Sequence, residues 1–278
     1  MIHTKLITAT IFLYLGCSVL YGIFFAFRSH RLGRIATRAT AFSWVLHTGG
    51  ILIRWWESYQ LGMGRIPLTN LYESLVFFSW CIVLLYLLWE WKLGFKSLGA
   101  LVLPLAFFFI AYASLGSDRI DPLIPALQSN WLHIHVISCF LSYASFAISC
   151  GASILYLWRS SAGAQAPAET NPASRFPSSD SLDALIYQAI AMGFSLLTIG
   201  IVTGAAWASY AWGAYWSWDP KETWSLITWF VYAIFLHARL VREWRGKKTA
   251  ILAIVGFGSV LFTYFGVNFW LSGLHSYV

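Results

Sequence analysis

Eight apolar runs, each close to the length that crosses a hydrocarbon core, leave this chain few folds other than a helical bundle in a membrane. A bilayer core of about 30 Å takes roughly 20 helical residues to cross. Backbone groups in hydrocarbon must also be paired within the protein, which for single runs of this length means helices. The runs are 6–27, 41–57, 70–91, 98–116, 131–158, 183–206, 222–241 and 249–271. Only 10% of the 278 residues are charged and 59% are hydrophobic, against about 25% charged in a soluble domain. Little chain remains for a separate soluble domain, so a single membrane domain, 1–278, is expected. The fold class that follows is an all-α polytopic membrane protein, a bundle of about eight transmembrane helices.

Charge orients the bundle. Arg28, Arg31, Arg34 and Arg38 follow the first run, whereas a cleaved signal peptide carries its positive charge ahead of the apolar stretch. The first run therefore reads as a permanent span with the N-terminus outside. Alternating sides from there puts 13 of the 18 Lys and Arg inside: those four, Lys92, Lys96, Arg159, Arg175, Arg239, Arg242, Arg245, Lys247 and Lys248. Lys5, Arg54, Arg65, Arg119 and Lys221 fall at or near the outer side. The positive-inside rule then predicts both termini outside, and it accounts for the net charge of +7 without nucleic acid. Residues 160–181 (SSAGAQAPAETNPASRFPSSDS) are rich in Ala, Ser and Pro and are expected to form a flexible cytoplasmic linker. Cys17, Cys81, Cys139 and Cys150 lie inside apolar runs with no CxxC or CxxCH, and read as small buried hydrophobes.

The segment from Trp207 to Trp224 (WASYAWGAYWSWDPKETW) holds five of the chain's 16 Trp: Trp207, Trp212, Trp216, Trp218 and Trp224. An interfacial aromatic belt explains one or two of them; a platform for a flat, apolar ligand explains the density, and the residues alone weigh the two evenly. On an interfacial helix Trp212 and Trp216 would share a face. Asp219-Pro220-Lys221-Glu222 fits a helix start, with Asp at the cap, Pro at the first position and Glu at the third.

Seven His complete the inventory. His3 and His30, at the terminus and in the basic loop, are expected to be solvated, and His133 faces away from His135 on a helix. His135, near the outer end of span five, and His275, after span eight, flank the Trp-rich segment. Two imidazoles beside an aromatic surface suit a bis-His haem site. His47 and His237 lie about 5–6 residues from the inner ends of their spans, roughly 8–9 Å deep, where an ionisable group points to function. If both are ligands they make a second, inner site; a neutral His bonded to a neighbouring helix is an even alternative for His47 and a weaker one for His237.

These blocks resemble a known family. WGAYWSWDPKETWSLITWF (212–230) resembles the WWD signature of haem-handling membrane proteins. PLTNLYESLVFFSW (67–80), LQSNWLHIHVISCFLSYASF (127–146), GVNFWLSGLHSY (266–277) and FLHAR (235–239) narrow the resemblance to the CcsA (ResC) branch of cytochrome c biogenesis. The resemblance implies the haem-binding subunit of a membrane cytochrome c synthase, working with CcsB (ResB) to move haem b outward for attachment to the CxxCH motif of apocytochrome c. It implies haem iron ligands at His135 and His275 and a platform of Trp207, Trp212, Trp216, Trp218, Asp219 and Trp224. It also implies an inner ligand at His237 whose partner comes from CcsB, which leaves His47 to a structural role. No side chain need act as a nucleophile, because the thiols belong to the substrate. Asn70 and Glu73 belong to a family block without a role readable from their chemistry. The resemblance implies a bacterial cytoplasmic or a thylakoid membrane. A haem exporter or chaperone that only delivers haem to another carrier is the alternative, and a resident electron carrier of the cytochrome b type a more distant one.

Overall fold

The computed structural model describes residues 1–161, 177–271 and 273. Each of the eight apolar runs is mostly helical, and the helices are α1 (Ile2–Phe27), α2 (His30–Gln60), α3 (Leu71–Leu93), α4 (Gly99–Ala113), α5 (Asn130–Ser161), α6 (Ser179–Trp212), α7 (Pro220–Leu240) and α8 (Lys247–Leu261). A π-helical turn (Phe262–Gly266) and a short α9 (Val267–Trp270) continue α8. Among the described residues, six helices are long and apolar enough to cross a membrane, and the chain is a polytopic integral membrane protein. The other two, α2 and α7, are helical but more polar: α2 carries Arg31, Arg34, Arg38, Arg54 and Glu57, and α7 carries Lys221, Glu222 and Arg239. Most of the expected 160–181 linker, residues 162–176, lies outside the described residues.

The chain packs as two compact units, the first Met1–Leu123 and the second starting at Ile124. In the first, α1 packs on α2 and α4, and α3 on α4 and α2. Asn70 opens α3 by accepting the Glu73 N–H at 2.8 Å, and Gly94, at φ 73°, closes it in the left-handed conformation that favours glycine.

A buried carboxylate sits at each end of α3. Near the end, Glu90 Oε2 accepts the hydroxyls of Tyr21 and Tyr86, each at 2.6 Å. Its Oε1 accepts from Lys96 Nζ at 2.6 Å and from the Thr37 hydroxyl. At the start, Glu73 Oε1 accepts Arg54 Nε at 3.1 Å and Nη2 at 2.8 Å. Glu73 Oε2 accepts Arg65 Nη1 at 2.8 Å and the Thr69 N–H at 2.9 Å. Arg54 also donates to the carbonyls of Asp118, at 2.7 Å, and Arg119, at 3.0 Å. A buried ion survives only when its lone pairs are filled in this way.

This network corrects the expectation that His3 is solvated. His3 is fully buried. Its Nε2 faces Arg54 Nη1 at 2.7 Å and so accepts, which leaves Nδ1 to donate to the Glu57 carboxylate. The partners come from α2, far from His3 in sequence, so position at a terminus said nothing of its burial. His30 is exposed, as expected.

In the second unit α5 runs along α6 and also packs on α8, and α7 packs on α8 and α6. The α5–α6 seam is close because α6 offers glycines where α5 offers bulk. A Cβ at Gly193 would lie 2.6 Å from the Phe146 ring, and one at Gly200 would lie 2.6 Å from Cys139 Sγ. Ser142 Oγ crosses the seam to the Gly193 carbonyl at 2.7 Å. Small residues and hydroxyl bridges are the usual means of association in a medium with no hydrophobic drive between helices.

Replacing Glu73 with Ala strands two buried guanidinium groups, and the expected loss of stability is about 3–5 kcal/mol. A denaturant titration in detergent checks it; an unchanged midpoint would mean that Glu73 does not hold the first unit together.

Candidate functional site

The second unit forms a partly open pocket, with a cavity volume of about 90 Å³, lined by α5, α6, the 213–219 connection, α7 and the π turn. His135, Cys139, Tyr215, Trp216, Lys221 and Tyr264 are among its walls.

His135 is held in one tautomer. Its Nδ1 lies 2.7 Å from the Gly200 carbonyl oxygen, which can only accept, so Nδ1 carries the proton and Nε2 is the basic nitrogen. A ring N–H given to a backbone carbonyl is the arrangement that orients and strengthens a metal-binding histidine. The ring reaches that carbonyl because Gly204 has no side chain: a Cβ there would stand 2.6 Å from Nδ1. Cys139 Sγ lies 3.7 Å from the same nitrogen.

The tryptophans divide by role. Trp207 is buried and stacks on His135, centroids 6.0 Å apart and planes at 19°. Its Nε1–H is fixed on the Ala126 carbonyl at 2.8 Å, and Trp212 meets it edge-on at 4.8 Å. Trp224 packs on Phe262 at 4.1 Å, and Trp218 is exposed. Trp216 lines the cavity; its Nε1–H is buried with no acceptor among the described residues. Trp212 and Trp216 do not share a helical face. α6 ends at Trp212 and Gly213 turns the backbone at φ 77°, so Trp216 lies in the non-helical connection.

Asp219 and Glu222 form the capping box that the DPKE order predicts. Asp219 Oδ1 accepts the Lys221 N–H at 3.0 Å. Glu222 Oε2 accepts the N–H groups of Asp219, at 3.2 Å, and Ser217, at 2.8 Å. Trp218, at φ 60°, leads into this cap.

The remaining candidates separate. His275 lies outside the described residues; Gly273, two positions earlier, sits so close to Asp219 that a Cβ on it would collide with the carboxylate. His237 is exposed near the end of α7. His47 is buried in the first unit, its Nδ1 3.0 Å from the Tyr14 hydroxyl. Among the described residues no three His, Cys, Asp or Glu side chains group as a metal site. The role of Asn70 and Glu73, opaque in sequence, is the cap and the buried ion cluster of α3. Lys221 was passed over as an outer-side charge. The signal that could have raised it is its place inside an aromatic segment, where a cation is out of keeping.

Fold and site together define a class: a polytopic helical membrane protein with a histidine-bearing, aromatic-walled cavity in its second unit. The model of the cytochrome c assembly protein family matches residues 68–275. Among similar proteins, the cytochrome c biogenesis protein CcsA of Chlamydomonas reinhardtii is 46% identical over 82% of this chain, which spans 64% of that protein's length. CcsA of Gloeobacter violaceus is 38% identical over 94% of this chain and 91% of its own length. CcsA of Synechococcus elongatus is 40% identical over 81% of each. The solved structure of cytochrome c haem lyase CcmF matches with a TM-score of 0.68 at 19% identity, covering 94% of this chain and 46% of its own; it shows the fold alone. The chain belongs to the CcsA family of cytochrome c biogenesis proteins.

Gly204→Ala is expected to drive His135 off the Gly200 carbonyl and to cost about 1–3 kcal/mol by overpacking. Gly258→Ala, with open space around it, should cost nothing by the same measurement of thermal midpoints. Equal behaviour of the two variants would refute the close seat of His135 on α6.

Proposed function

We propose that the cavity holds haem as cargo and presents it for thioether attachment to the CxxCH motif of an apocytochrome c. The observation that carries this reading is the His135 imidazole, standing at an aromatic-walled pocket with Nδ1–H given to a backbone carbonyl, which makes Nε2 the basic nitrogen. In this reading His135 supplies one axial ligand and His275 the other. Trp207 holds the His135 ring from behind, and Trp216 and Tyr215 supply aromatic wall. Family membership supports the role in cytochrome c biogenesis.

The chemistry asked of the chain is positioning. Each substrate thiol adds across a haem vinyl group: a carbon–sulfur bond forms at one vinyl carbon, the proton goes to the other, and nothing is oxidised or reduced. Two axial imidazoles keep oxygen from the iron meanwhile, and the apolar walls hold the porphyrin with its vinyl edge reachable. The substrate histidine then displaces one ligand and loosens the product for release.

A second haem position shared with CcsB (ResB) is part of the proposal. It is supported by His237, which is exposed on α7 rather than turned into its own unit and is therefore offered to another protein. His47, engaged by Tyr14, takes no iron in this reading. With both termini outside and eight spans, haem would enter from the cytoplasm near His237 and settle beneath the 207–224 segment on the outer face of a bacterial cytoplasmic or a thylakoid membrane.

His135→Ala is expected to abolish the Soret absorbance of haem in the cavity and cytochrome c maturation together; a variant that keeps both at wild-type levels would sink the proposal. His237→Ala should leave the cavity haem in place while removing the spectral component that appears only when CcsB is co-expressed. Comparing spectra of the chain purified with and without CcsB checks this, and an unchanged co-expressed spectrum refutes the shared position.

A further inference from the structure

The end of α9 is sewn to the start of α7. α9 ends at Trp270, and Leu271 leaves it with extended backbone, φ −124° and ψ 117°. Before that point, Asn268 Oδ1 accepts Lys221 Nζ at 3.0 Å, and its Nδ2 donates to the Tyr264 carbonyl at 2.7 Å. Phe262 packs on Trp224 of α7 with centroids 4.1 Å apart, and on Trp270 at 5.9 Å. Beyond it, Gly273 lies against the α7 cap itself. A Cβ there would overlap the Asp219 carboxylate and stand 3.1 Å from Pro220 Cδ. Both of these neighbours are held: Asp219 Oδ1 accepts the Lys221 N–H at 3.0 Å as the helix cap, and Pro220 is a closed ring with a fixed φ. A side chain at 273 would therefore displace position 273 rather than the cap.

The place matters for what lies on either side of it. Lys221 and Glu222, next in the chain after Pro220, line the same pocket as His135, and His275 follows Gly273 by two positions. Two residues span at most about 7 Å, so the setting of position 273 limits where the His275 imidazole can reach. We propose that Gly273 is a positioning residue for the second axial ligand: lying on the α7 cap without a side chain, it brings the chain close enough for His275 to meet iron opposite His135. The proposal rests on the haem reading of the pocket and deepens it by naming what sets the second ligand. A metal–ligand bond accepts departures of about 0.2 Å, less than a methyl group wedged between chain and cap would impose.

The test is a spectral titration of the purified protein with haem, comparing wild type, Gly273→Ala and His275→Ala. Wild type is expected to give the low-spin spectrum of iron with two imidazoles, and His275→Ala the high-spin spectrum of iron with one. Gly273→Ala, with His275 still present, is expected to give the His275→Ala spectrum. It should also bind haem about 10–100-fold more weakly than wild type, the usual cost of losing a group that orients a metal ligand. Free imidazole should return Gly273→Ala to the low-spin spectrum, because His135 and the pocket are intact and only the second ligand is displaced. A Gly273→Ala protein with the wild-type spectrum and affinity overturns the assignment. So does one that takes up no haem even with imidazole, which would make Gly273 a determinant of the fold instead. A wild type without bound haem, or a His275→Ala spectrum identical to that of wild type, overturns the two-histidine reading and this assignment with it.

Discussion

A charged or ionisable group that these helices carry into apolar surroundings is costly unless it is paired inside the protein, and much of the structure is the working out of that requirement. Hydrocarbon offers no water to complete a half-made hydrogen bond. Glu73 and Glu90 are tolerable because two arginines, a lysine, two tyrosines and two threonines surround them. The same rule fixes His135: its N–H is satisfied by the Gly200 carbonyl, and that bond decides which ring nitrogen is basic.

Local signals in the sequence were legible, and long-range ones were not. The order Asp219-Pro220-Lys221-Glu222 names a helix start because capping depends only on residues a few positions apart, and the box is present. The six most apolar runs could be read from composition for the same reason. His3 looked solvated because its partners, Arg54 and Glu57, come from another helix that nothing local announces. Asn70 and Glu73 had no readable role until Arg54 and Arg65 were brought to them. Trp212 and Trp216 were given one face by counting four residues along a helix that Gly213 ends. Within the Trp-rich segment the density of aromatics was visible, but not its division of labour. Trp207 braces a histidine and Trp216 walls a cavity, although both are equally tryptophan in the sequence.

The π turn at Phe262–Gly266 loosens the C-terminal end of the second unit from a strict count of residues. A π turn accommodates one residue more than an α-helical turn needs. Because the wider turn sweeps nearly the same angle with that residue as an α turn does without it, the helix beyond keeps its register. Asn268, which follows the turn and receives Lys221, therefore faces much as it would on an unbroken helix one residue shorter. The stretch from 262 to 266 is a place where the chain can differ in length by one residue without re-aiming the side chains that follow.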